Sequence, residues 1–155
     1  MRPILLLFLA CILVLATVSC DRGDATATPK VSDQDKSKFD ELVEKTWTVD
    51  FVRADAIPWL REPGHSFYGL DTDQVVRFAQ ELETETGSKS HVTRIDQNTA
   101  LTLLIRLPDN QTQRETVMSK KNQFAAAIGK PLKVTEGHRW LAIEWNSSRE
   151  ANQPH

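Results

Sequence analysis

Cysteine is nearly absent. Cys11 and Cys20 are the only two, and from Asp21 onward the chain has none. That removes disulfides, thiolate metal sites and cysteine nucleophiles from the body of the protein. A basic surplus is also lacking, since 19 Lys and Arg stand against 21 Asp and Glu for a net charge of −2. A weakly acidic, mixed-sign surface gives no electrostatic reason to expect nucleic acid or anionic lipid surfaces as partners. No Gly-rich phosphate loop, H-E-x-x-H, G-x-S-x-G or carboxylate-rich calcium loop occurs. The histidines, His65, His91, His138 and His155, stand far apart with none at the i, i+4 spacing of a helical zinc pair, so neither metal nor cofactor is expected. Asp71 and Asp73 form a carboxylate pair, but at a helix start such residues serve capping and the dipole.

What is present begins with the leader. Arg2 and the amino terminus are followed by Ile4–Val18 without a charge, then by the small residue Ser19. Basic start, apolar middle and small residue at the cut are the parts of a secretory signal, and the run is shorter than the ~20 residues of a spanning helix. Thr17-Val18-Ser19-Cys20 resembles the lipobox of bacterial lipoproteins, with Thr17 where Leu is usual. The resemblance implies that residues 1–19 are removed. Cys20 would then be acylated, and the protein would be held at the cell membrane facing the periplasm or exterior. An ordinary leader, cleaved or retained, is the alternative. Asp21 resembles the residue that keeps lipoproteins in the inner membrane of enteric bacteria.

Residues 20–36 are polar, with Val31 the only sizeable apolar side chain, and read as a flexible tether. A single domain is expected over 37–146, with a frayed polar tail over 147–155. From Ser37 a short helix carries Phe39, Leu42 and Val43 on one face, and Trp47, Val49 and Phe51 then alternate as in a strand. Asp71 with Gln74 predicts a capping box for a helix bearing Val75, Phe78, Ala79 and Leu82, stopped by Gly87. His91–Ile95 and Thr99–Leu107 read as strands. Thr112 with Glu115 predicts the start of a third helix carrying Val117, Phe124, Ala125 and Ile128, closed by Gly129 and Pro131. Leu132–Thr135 and His138–Trp145 read as a hairpin about Glu136-Gly137.

The expected fold is α+β: a two-layer sandwich of about four antiparallel strands with two helices on one face. Helix-strand-strand occurs twice, which suggests an αββ repeat. A strand at His65–Gly69 would instead make the element order similar to a ferredoxin-like fold. Three function classes are open: a tethered binding or assembly module for an envelope protein or small ligand, a small enzyme, and a structural envelope component. The irregular stretch Pro58–Tyr68 supplies the candidate binding residues Trp59, Arg61, His65 and Tyr68. The competing reading is that Trp59 and Phe67 plug one end of the core.

Overall fold

A computed structural model of the chain describes residues 31–47 and 53–147. The leader, Cys20, most of the tether, residues 48–51 of the expected Trp47–Phe51 strand and the tail beyond Ser147 lie outside the described residues; Trp47 itself is the last residue of the first helix, which runs on past Lys45 with no turn residue to stop it.

The elements run α1 (Asp33–Trp47), β1 (Ala54–Asp55), α2 (Ala56–Leu60), β2 (Ser66–Phe67), α3 (Thr72–Thr86), β3 (Ser90–Asp96), β4 (Thr99–Arg106), α4 (Gln111–Ile128), β5 (Leu132–Glu136) and β6 (Trp140–Trp145). The class is α+β, as the sequence predicts. The sheet is open and runs β1-β3-β4-β6-β5, with β2 beside β4. Every pairing is antiparallel except that of β2 with β4. Among the described residues it has six strands rather than about four. The two additions are β1 and β2, two residues each, which the Pro- and Gly-rich stretch can form although it cannot sustain a long element. A ferredoxin-like order would interleave the two halves of the chain in the sheet. Here each hairpin stays intact and β4 lies against β6. The short β2 engages only Thr99 and Ala100, leaving Leu103–Arg106 for β6.

One face of the sheet is covered by α3 and α4. Asp71 caps α3 by accepting from the Gln74 N–H at 2.8 Å, and Gly87 ends it at φ 71°. Asn110, not Thr112, caps α4, accepting from the Gln113 N–H at 3.1 Å; asparagine is the stronger cap of the two. Val75, Phe78 and Leu82 meet Val117 and Phe124 over Leu103, Ile105, Leu141 and Ile143. The rings of Phe78 and Phe124 stack with centroids 4.2 Å apart and an 11° tilt.

The other face is not open, which corrects the two-layer expectation. Leu104, Trp140 and Ala142 alternate with the core residues of their strands and bury a second cluster against Val43 of α1, with Phe39 beside it. β4 and β6 are apolar on both faces, and such strands need cover on both. α1 begins at Asp33, four residues before the expected Ser37, and is fastened through Asp40, only 2% exposed. The Asp40 carboxylate accepts from the backbone N–H groups of His138, Arg139 and Trp140 at 2.8, 3.0 and 3.2 Å. Lys36 adds an ion pair to Glu136 at 2.8 Å. A side chain at Gly137 would overlap the Asp40 carboxylate, so this turn must be glycine for α1 to dock.

Candidate functional site

The two faces of the sheet are covered unequally. α3 and α4 seal theirs, while the single helix α1 spans only part of the other and leaves Leu42 59% exposed. Between α1 and the sheet lies a cleft of about 550 Å³, within the range of small-molecule sites. Its apolar end is made by Phe39, Leu42 and Val43 of α1 with Leu104 and Ala142 of the sheet. Its polar end is made by Arg53, Thr93, Arg94, Thr102, Lys133 and Glu144.

Pairing register brings the polar end together. Thr93 faces Thr102, and Lys133 faces Glu144. Glu144 is the hub. Its Oε1 accepts from the Thr102 hydroxyl at 2.7 Å and from an Arg94 terminal nitrogen at 2.8 Å, and its Oε2 from Lys133 Nζ at 3.1 Å. Burial works to raise the Glu144 pKa. The bonds from Thr102, Lys133 and Arg94 outweigh it and hold the carboxyl below its ordinary value. A carboxylate fixed in this way is a poor proton shuttle at neutral pH and a good anchor for two cations.

Arg94 reaches this hub by an unusual backbone. Its φ is +54°, the left-handed region that bulky side chains rarely adopt. In a regular strand Thr93 and Arg94 would point to opposite faces. Here both line the cleft, while Val92 and Ile95 on either side pack into the main core. The left-handed residue therefore turns a guanidinium onto the α1 face without disturbing the core side.

Arg53 lines the cleft beside the last turn of α1. One terminal nitrogen donates to the Val43 carbonyl at 2.7 Å and to the Thr46 hydroxyl at 2.8 Å. A cation on the last turn is favoured by the helix dipole. Burial lowers its pKa, but a guanidinium stays charged at neutral pH.

The residues singled out in the sequence lie elsewhere, and none of them lines the cleft. Trp59 sits half-buried on α2 at the margin of the main core, with the His65 ring 4.1 Å away. His65 Nδ1 contacts the Trp59 carbonyl at 2.8 Å, and Nε2 lies 3.7 Å from Glu62. Arg61 is an exposed residue at the end of α2. Tyr68 is 46% exposed and packs edge-on against Trp145 with centroids 5.1 Å apart. The structure thus joins Trp59 to His65 but takes Tyr68 to a different contact. Phe67 and Leu60 are the buried plugs of this stretch.

His91, His138, Lys120 and Arg114 have structural company, while His155 lies outside the described residues. His91 is half-buried, and burial outweighs the attraction of Asp55 to put its pKa below the ordinary 6.5. Its neutral ring therefore donates Nδ1–H to Asp55 at 3.2 Å. His138 Nε2 lies 3.2 Å from the Asp33 carbonyl. Lys120 bridges Glu81 and Glu85 at 3.2 and 2.6 Å, and Arg114 donates to the His138 carbonyl. Among the described residues no three His, Cys, Asp or Glu side chains converge as a metal site, and no helix is long and apolar enough to cross a membrane.

A smaller groove, about 210 Å³, overlies the Phe78–Phe124 stack, with the charges of Arg77 and Glu81 balanced in it. The cleft beneath α1 differs in both size and charge. No protein-family model, curated protein or solved structure matches this chain.

Proposed function

We propose that this chain is a binding module held at the outer side of a cell membrane by lipid on Cys20, and that its ligand site is the cleft beneath α1. The observation that carries the binding reading is Arg94. A left-handed non-glycine residue costs stability, and here that cost delivers a cation to an open, part-apolar cavity instead of to the core. The four long strands with α3 and α4 make the two-layer half of the molecule, which we read as a duplicated αββ unit. Phe78 and Phe124 meet where the two units abut, and α1 is the element added to make a site.

The tethering reading rests on Met1–Cys20 and the polar stretch behind it. A single acyl chain binds membranes only marginally, so a stable anchor needs the two or three chains that lipoproteins of this resemblance carry. A tagged fatty acid should label the protein and fail to label Cys20→Ser. Label that persists in Cys20→Ser removes the anchor.

An enzymatic reading finds less support. Among the described residues the one part-buried carboxylate in the cleft, Glu144, is locked by three donors, and Trp59, His65 and Tyr68 are engaged in packing. The binding reading is tested by native mass spectrometry of the full chain released gently from its own membranes. A bound species should accompany the wild type and be lost from Thr135→Trp, which fills the cleft from its β5 side. Only the bare protein mass in both samples overturns it.

A further inference from the structure

The geometry points to one ligand class for this cleft: a single-chain amphiphile with a carboxylate head, that is, a free fatty acid. The inference rests on the cleft being the ligand site and adds what the site selects. Charge is the first argument. Among the described residues the lining carries Arg53, Arg94 and Lys133 against one carboxylate, Glu144, in a chain whose net charge is −2. At the Glu144 hub two cations, Arg94 and Lys133, meet one carboxylate, and that local excess of positive charge inside an acidic protein attracts an anion and disfavours a cation.

The second argument is donor chemistry. Glu144 is itself a carboxylate, so its contacts display what this constellation accepts: a guanidinium, an ammonium and a hydroxyl around two oxygens. Among the described residues Arg94 and Lys133 each spend one donor on Glu144. A guanidinium has five N–H donors and an ammonium three, so both retain capacity for a second carboxylate. Both are more than half exposed, so a ligand can reach them.

The third argument is shape. The charged end is continuous with an apolar end whose walls are Leu42 and Val43 above and Leu104 and Ala142 below. A small hydrophilic anion would leave those walls unused, and a neutral alkane would leave the cations unused. At about 550 Å³ the cleft is of a size for one chain, which argues against a two-chain phospholipid. Leu42, exposed at the rim, gives such a chain an apolar entry.

The test uses the full lipidated chain on phosphatidylcholine vesicles, with a diazirine-bearing palmitic acid as photoprobe and peptide mapping of the label. Label should concentrate on peptides of α1 and of β4 or β6, and palmitate should compete it while hexadecylamine should not. Arg94→Gln with Lys133→Gln should cut labelling by about tenfold or more, as expected for losing charge-assisted hydrogen bonds. Leu42→Asp, at an exposed position that packing does not need, should lower labelling from the apolar end with the melting temperature unchanged. Label spread evenly over the chain, or competed equally by the amine, overturns the proposal. So does competition by a lysophospholipid with a phosphate head when palmitate fails. If the probe misses the cleft while native mass spectrometry still finds a species lost from Thr135→Trp, only the ligand class falls. If neither is seen, the binding reading falls with it.

Discussion

The left-handed backbone at Arg94 makes a sharp prediction because it reverses an ordinary rank order. At a regular strand position Gly is less stable than Ala by about 0.5–1 kcal/mol, since it loses more backbone entropy on folding. At φ +54° the order should invert, because an L side chain there crowds its own backbone at a cost of roughly 1–2 kcal/mol that Gly escapes. Arg94→Gly and Arg94→Ala both lose the contact with Glu144, so that loss cancels in the comparison. After subtracting the entropy of the unfolded Gly chain, Arg94→Gly should be the more stable variant by about 1 kcal/mol. Urea unfolding of the two variants, with equal m-values as the check that the denatured states match, reads the difference directly. Equal stability, or Ala above Gly, would mean that the strand is regular at this position and that Arg94 is not strained into the cleft. Both variants should also lose ligand, because the guanidinium is gone from either.

Gly137→Ala should push Asp40 off the three N–H groups it holds and loosen α1, costing about 3 kcal/mol, the upper end for hydrogen bonds to a charged group. A loss below about 0.5 kcal/mol in urea unfolding, the scatter of ordinary surface changes, would show that α1 is fastened by other means. Phe124→Ala removes one ring of the stack between α3 and α4 and should cost about 3–5 kcal/mol, as buried aromatic truncations do; a much smaller loss would show the two helices pack without it. His91 gives a pH signature. Its folded pKa lies below the ordinary 6.5, so the unfolded chain takes up the proton first. Stability is therefore level above that pH and falls as pH drops through the window beneath it. His91→Gln should flatten that window, and an unchanged slope in the variant would assign the pH dependence elsewhere.

Much of the scaffold was legible because local signals agreed with the packing. The Asp71 cap, the Gly87 and Gly129 stops and the 3.6-residue stripes of α3 and α4 all mark elements whose burial depends on nearby residues. The site was not legible, for reasons that can be named. β4 contains Leu103, Leu104 and Ile105 in succession, and β6 contains Trp140–Ile143; a strand apolar on both faces implies cover on both, and that signal was available. It is obscured because β4 sends Ala100, Leu103 and Ile105 to the main core, which is not simple alternation. The positive φ at Arg94 has no sequence signature, since arginine gives no hint of left-handed backbone. Asp40 on Gly137 joins residues nearly a hundred positions apart, and no local pattern reports such a contact. The loop Pro58–Tyr68 stands out in the sequence for its aromatic residues. Most of that content serves packing, with Phe67 and Leu60 buried and Trp59 set at the core margin.

The cleft beneath α1 is proposed to hold an amphiphilic carboxylate. A crystal structure of the protein grown with dodecanoate tests this most directly. The carboxylate should lie within about 2.7–3.2 Å of a nitrogen of Arg94 or Lys133, with the chain running between Leu42 and Leu104. Dodecanoate bound elsewhere, with solvent alone in the cleft or with α1 closed down onto Leu104 and Ala142, would contradict it.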